Sequence, residues 1–341
     1  MNCPRCKPGS YAAQQGAALV IAMLVFALCA TLIVAMKSEF ILFYQRGSNI
    51  FVAEQAYAYL RGAEDLASMA LVVDADQDIA DGQARDDLEE LWAQPPTPYT
   101  LDEGGWLQGG LEDLQGRFNL NQLVGQRNSE NGGESYTSAQ QQFIRLLQAL
   151  PELQLSEYEA AIITRSIGDW LDGDNNTSVN GAEDDYYSSQ TPSYRTANRP
   201  MSSVTELRAV ANVTLEIYAA LSPWVSVWPQ SPSTLNIHTA PAMLLRSINE
   251  DGNLLPLSDS EAEALVQQRT DTGFIDVADF LAQPVFEGKN MGAVATLLGE
   301  ESGYFLLAAE AEVAQRRVRL YSVLERRGRT INTLARASGS L

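Results

Sequence analysis

Residues Ala17–Met36 read AALVIAMLVFALCATLIVAM, twenty positions without a charge. At about 1.5 Å rise per residue such a helix covers roughly 30 Å, the thickness of a bilayer core. That length commits the chain to a single membrane crossing near its start. Arg5 and Lys7 precede the run with no acid before it, so the positive-inside bias keeps the start cytoplasmic and sends the bulk of the chain across the membrane. An ordinary secretory signal has a shorter apolar core and is cut after it. Here the small-residue junction, Gln14-Gln15-Gly16-Ala17, lies before the run. An uncleaved signal anchor of similar hydropathy is the alternative.

A hydrophilic leader ending in Gly and followed by about twenty apolar residues resembles the type IV prepilin signal. That resemblance implies cutting between Gly16 and Ala17 by a membrane prepilin peptidase, with the apolar helix retained and its new N-terminus methylated. Gly16 has no side chain to keep the peptidase at a distance. Pilin-type subunits carry Glu at the fifth mature position, whereas this chain has Ile21. A carboxylate in lipid is costly unless paired, and in pilins it is thought to meet the N-terminal amine of a neighbouring subunit. A subunit lacking it is poorly equipped to dock beneath another, which points to the first, distal position of a filament. Phe40, Phe43, Tyr44, Phe51, Tyr57 and Leu60 extend the helical pattern without a Pro as far as Val73, and core packing accounts for this aromatic stripe.

The chain as a whole is acidic, 43 Asp and Glu against 23 Lys and Arg, for a net charge of −20. That balance argues against wrapping nucleic acid, since neutralising phosphates takes Lys and Arg. Beyond Cys29 no cysteine occurs, so no disulfide staples the C-terminal portion. Cys3 and Cys6 have the spacing of half a zinc site, but no second pair follows and His238 is the only histidine. Asp81-Gly82 reads as a turn, 86–92 as a short helix, and Pro95, Pro96 and Pro98 as a break. Gly104-Gly105 and Gly109-Gly110 punctuate short hairpin strands at Trp106-Leu107 and 111–120. Between residues 304 and 326, Ala309, Ala311 and Val313 alternate with Glu310 and Glu312, then Val318 and Leu320 alternate with Arg317 and Arg319. That period of two predicts strands with one wet face.

Four capping boxes, Ser138/Gln141, Ser156/Glu159, Ser203/Glu206 and Ser258/Glu261, open helical runs between the strand regions. Pro241 marks another helix start. The expected fold class is α+β: a transmembrane pilin helix, a small antiparallel-sheet pilin head and a large inserted all-helical domain. The expected divisions are a leader over 1–16 and a membrane half-helix over 17–36. The second half-helix and first strands take 37–120, the inserted domain 121–300, the last strands 301–330, and a basic, frayed tail 331–341. Residues 126–134 read as a flexible loop.

Several pieces in order make a more specific likeness. They are the leader at Gly16, Ile21 in place of Glu, GRFNLNQL at 116–123, GDWLDGD at 168–174, GAEDDYY at 181–187, YRTANRPMSSVTEL at 194–207 and LNIHTAP at 235–241. Together they resemble type II secretion system protein K, the large minor pseudopilin, over nearly the whole chain. The resemblance implies an inner-membrane, single-pass protein with its C-terminal domains in the periplasm. It implies a filament tip formed with minor pseudopilins I and J, alongside pseudopilin H and the major pseudopilin G. The face bearing Tyr44, Phe51 and Tyr57, with the edges of the pilin sheet, is where those partners are expected.

The densest acidic stretch holds Asp169, Asp172, Asp174, Glu183, Asp184 and Asp185, with Asn175, Asn176 and Asn180 between. Hard cations such as Ca²⁺ want six to eight such oxygens. The spacing is not that of an EF-hand, and a solvated acidic loop is the plain alternative. The family resemblance favours calcium, with Asp172, Asp174, Glu183 and Asp184 as first ligands, Asn176 and Asp185 next, and Asn198 and Glu206 in reserve. Residues 235–281 also resemble tandem helix-hairpin-helix modules, which elsewhere bind DNA. The segment is poor in Lys and Arg and rich in acids, so it reads as a packing scaffold. A minor pilin of a type IV pilus shares the leader, but size and insertion disfavour it. No zinc-protease helix, phosphate loop or nucleophile elbow occurs, and His238 reads as a capping or surface residue, so no enzyme is expected.

Overall fold

The computed structural model describes residues 15–82, 84–102, 104–125 and 136–339. Cys3, Cys6, most of the expected leader and the loop expected at 126–134 lie outside them. Helix α1, Gln15–Asp81, runs for 67 residues, farther than the sequence pattern suggested, and Gly82 at φ 68° ends it in the left-handed conformation that stops helices. The chain falls into two units, Met1–Ala56 and Tyr57–Leu341. In the first, the apolar face is bare: a window of mean hydropathy 2.9 has none of its residues buried, as a membrane-crossing helix requires. Core packing does not account for the aromatic stripe here, since Tyr44 is 68% and Phe51 70% exposed.

The second unit holds a five-stranded antiparallel sheet, ordered β1-β2-β7-β8-β9. Its strands are β1 Tyr99–Thr100, β2 Gly105–Asp113, β7 Tyr304–Val313, β8 Arg316–Arg327 and β9 Thr330–Ala337. Phe305, Leu307, Ala309 and Ala311 of β7 alternate with outward residues as expected, and pack with Leu60, Ala63 and Leu71 of α1. Leu60, Ala63, Ala67 and Leu71 recur at three and four residues, the spacing of one helix face.

Three local readings are corrected. Gly109-Gly110 does not separate two strands: both sit inside β2, opposite Ala309 and Ala308, because ladder pairing uses backbone groups and needs no side chain. The short helix expected over 86–92 is only a turn of 3₁₀ helix at Leu91–Ala93, because Asp86 is drawn into an ion pair. The tail beyond 330 is strand β9, held by β8 and by Arg336, whose Nη2 and Nε each lie 2.8 Å from a Glu64 oxygen on α1.

Between β2 and β7 lies the insertion, with its own core around Phe118, Phe143, Ile167, Trp170, Leu244 and Phe280. Two short parallel pairs tie it together: β3 Phe118–Asn119 with β4 Val225–Ser226, and β5 Leu235–Asn236 with β6 Leu298–Gly299. Its helices are α2 Ser138–Ala149, α3 Glu157–Leu171, α4 Asp184–Ser188, α5 Leu215–Leu221, α6 Ala242–Leu245, α7 Asp259–Asp271, α8 Val277–Leu281 and α9 Gly292–Ala295. Three predicted capping boxes are present at Ser156, Ser203 and Ser258. The fourth is displaced by one residue to Thr137/Gln140, since Gln140 also donates to the carbonyls of Leu123 and Gly125 and so fixes where α2 begins.

The β7–β8 hairpin turns on Ala314 and Gln315, at φ 48° and 66°. Two-residue turns of this kind favour Asn-Gly, because other residues pay for the left-handed backbone. The double variant Ala314→Asn, Gln315→Gly is expected to stabilise the head by about 1 kcal/mol. A thermal midpoint that stays or drops would show that the turn is unstrained.

Candidate metal centre

The last turn of α3 carries Asp169, and Asp172 caps its C-terminus through a backbone bond to Gly168. Carboxylates here sit at the negative end of the helix dipole, an unfavourable place unless a cation offsets them. The chain then loops back so that Glu183 stands at the start of α4, where its side chain makes no capping bond. One oxygen each from Asp169, Asp172 and Glu183 lies within 4.8 Å of the others. Gly181 makes this approach possible, since a Cβ there would come 2.0 Å from Asp169 Oδ2.

The polar atoms here are poorly satisfied. Asp169 Oδ2 accepts from the Ser178 amide at 3.1 Å, but Oδ1 is buried without a partner, as are both oxygens of Glu183. Asn198 Oδ1 is also buried and unpartnered. Asn198 is tied to this region by its amide to Trp170 O and by Nδ2 to Asp174 O and Asn175 Oδ1. Burial, then the neighbouring carboxylates Asp169 and Asp172, pushes Glu183 up to about 7. Burial likewise raises Asp169 and Asp172. Unpaired buried carboxylates of this kind cost several kcal/mol apiece in effective terms, and a divalent ion would remove that cost. Hard oxygen donors of this kind suit calcium better than zinc or copper.

The other expected ligands are outside this trio, although the Asp174 charge is near enough to help raise Asp169, Asp172 and Glu183. Asp174 and Asn176 are exposed, with Asp174 Oδ1 taking the Asn176 amide at 2.7 Å. Asp184 Oδ1 accepts from the Thr196 amide and hydroxyl. Asp185 points to solvent. Glu206 caps the amides of Ser202 and Ser203. Asp169 was in the acidic cluster but not among the chosen ligands; its i, i+3 spacing to Asp172 across the helix end was the available signal. His238 is not a surface residue, being only 3% exposed. A second acidic group, Asp74, Asp86 and Glu90, already has a cation: Arg326 pairs with Asp74 at 2.5 Å and with Asp86.

Comparison with known proteins fits this architecture. Family models described as type II secretion system (T2SS), protein K match residues 116–230 and 235–300. The type II secretion system protein K of Klebsiella pneumoniae is 32% identical over 96% of this chain and 97% of its own. That of Pseudomonas aeruginosa is 34% identical over 96% and 93%. Among solved structures, a chain of the GspK-GspI-GspJ complex from the enterotoxigenic Escherichia coli type 2 secretion system matches with TM-score 0.73 and 27% identity, covering 87% of this chain and all of that one. With such likeness along nearly its entire length, the chain belongs to the type II secretion system protein K family.

Proposed function

We propose that this minor pseudopilin occupies the distal tip of a type II secretion filament, assembled with minor pseudopilins I and J, and starts or caps the fibre. The observation that carries the reading is where the insertion sits in the head. It leaves and rejoins the sheet at the ends of β2 and β7, beside Arg326 and its partner Asp74, late in α1. Glu64, earlier in α1, meets Ser322 and Arg336 farther along the sheet. An insertion joined to the head at that end would stand in the way of a further subunit docking there. Ile21 supports the same reading, since it offers no carboxylate to a subunit above.

In this reading the peptidase cuts between Gly16 and Ala17, α1 anchors the chain in the inner membrane, and the head lies in the periplasm. Asp169, Asp172 and Glu183, with Asn198 near, hold calcium; when bound, the ion supplies positive charge that lets α3, the loop and α4 close on one another. Nucleic-acid binding finds no support in the helix-hairpin-helix-like segment: Arg246 is paired with Asp259 and bonded to Leu257 O, and Arg269 bonds Ile237 O and Ala240 O.

Position in the fibre is the test. Full-length chain bearing an epitope tag is expected to co-purify with I and J in detergent, and gold label on sheared filaments is expected at one end only. Label spaced along the fibre, or a chain that purifies with the major pseudopilin alone, contradicts the tip assignment.

A further inference from the structure

Residues 87–94, part of the connection from α1 to the sheet, are pinned by a single side chain. Trp92 is the only buried residue among them, 3% exposed, and its ring meets Phe305 of β7 edge-on with centroids 5.0 Å apart. Cavities of about 260 and 270 Å³ flank that ring. One lies toward α1 and β1, lined by Ala67, Tyr99 and Gly110; the other lies toward the insertion, lined by Leu88, Arg117 and Trp224. The hydrogen bonds that shape the segment are local, from Ala93 N to Glu90 O and from Gln94 Nε2 to the carbonyls of Glu89 and Glu90. A segment held by one plug with open space on both sides belongs to the low-stability end of a fold. Its start is fixed, since Asp86 pairs with Arg326 and takes the Ser302 amide at 2.6 Å.

The plug is tied to a charge cluster. Trp92 Nε1 donates to Glu90 Oε2 at 2.6 Å, and one oxygen each from Asp74, Asp86 and Glu90 lies within 4.8 Å of the others. Arg326 of β8 bridges Asp74 of α1 and Asp86. Glu90 has no cationic partner among the described residues, and Asp113 of β2 adds a fourth negative charge beside Asp86. One guanidinium thus serves four carboxylates, and like charges this close do not all ionise without cost. Burial first, then the charges of Asp74 and Asp86, push Glu90 up to about 8 against the pull of the Trp92 N–H and the Asp87 amide. An open segment returns Glu90 to water and to its ordinary value of 4.5, so the closed form binds the proton more tightly. Its advantage is full below about 4.5 and is lost as pH climbs through about 8.

We propose that residues 87–94 are a proton-operated latch: protonated Glu90 keeps Trp92 seated against the sheet, and loss of that proton lets the segment swing out about Asp86 and merges the two cavities into one groove.

The experiment uses full-length chain in detergent micelles from pH 6 to pH 9. ¹⁵N-labelled tryptophan reads the titration: the chain has five indoles, and the signal missing in Trp92→Phe is the plug. That signal is expected to move with a midpoint near 8 and to stay put in Glu90→Gln, which keeps an oxygen acceptor and has no proton to lose. Amide exchange, corrected for its intrinsic dependence on pH, reads the opening. Peptides covering 87–94 are expected to lose protection by about tenfold or more between pH 6 and pH 9, while β7 peptides keep theirs. Glu90→Gln is expected to retain at pH 9 the protection that the parent has at pH 6. Unchanged protection of 87–94 in the parent, an equal loss in β7, a Glu90→Gln chain that opens with pH as the parent does, or a Trp92 signal that does not titrate in this range would each overturn the proposal.

Discussion

Replacing Arg326 with methionine is expected to destabilise the head by about 3–5 kcal/mol, the loss typical of breaking a buried ion pair from one side. Arg326 joins Asp74 of α1 and Asp86 of the following segment, donates to Ser302 O at 2.9 Å, and lies over the Phe305 ring at 5.1 Å. The same knot continues through Asp113, which accepts from Ser302 Oγ at 2.6 Å, Thr239 Oγ1 at 2.5 Å and Asn236 Nδ2 at 3.3 Å. Helix, sheet and insertion therefore meet at one charged cluster. Even with Arg326 present, burial raises Asp86 to about 7. Its unfolded value is near 3.8, so the folded state holds the proton more tightly. Stability from that group is full at low pH and is lost as pH climbs through about 7. Without the guanidinium that loss grows, so the Arg326→Met defect is expected to be larger at pH 8 than at pH 5. Adding Asp74→Asn and Asp86→Asn is expected to restore much of the stability. Denaturant midpoints at the two pH values decide it: a loss under about 1 kcal/mol, or one equal at both pH values, would be inconsistent with a buried pair.

Chelating calcium is expected to lower the thermal midpoint of the insertion by roughly 5–10 °C. Ion at a hundred times its Kd contributes about 2.7 kcal/mol, and each kcal/mol moves a domain of this size by about 2–4 °C. The pH dependence follows from Glu183. Its carboxyl lies at about 7 in the ion-free fold against an ordinary value of 4.5. The ion-free protein is therefore most stable while that proton is on, and loses stability as pH rises toward and through 7. Calcium competes with protons for the same oxygens, so the stabilisation it adds should grow from pH 5 to pH 8. Glu183→Gln removes a charge while keeping the size; it is expected to raise the ion-free midpoint at pH 8 and to abolish most of the calcium response. A chelator with no effect at pH 8, or a Glu183→Gln chain that responds to calcium as the parent does, would falsify the calcium assignment.

Local patterns in the chain were enough for its class and for much of its outline. Twenty uncharged residues are long and apolar enough for a helix that crosses a membrane, and the alternation from 304 to 326 matches the period of strands. Capping boxes act within four residues, so Ser156, Ser203 and Ser258 were readable, and Thr137 was missed by a single place because a distant pair of carbonyls, Leu123 and Gly125, drew Gln140. The order of motifs from GRFNLNQL to LNIHTAP carried the family. Tertiary structure alone decided which carboxylates face one another. Asp169, Asp172 and Glu183 are brought together by the end of a helix and a glycine that admits close approach, whereas Asp184 and Asp185, adjacent in sequence, are turned away. It also decided that residues 330–337 are a strand rather than a tail, because Glu64, far back in the chain, waits for Arg336. Burial of His238 was equally invisible. Charge, propensity and capping are properties of neighbours along the chain; burial and pairing depend on segments that meet only after the chain has folded.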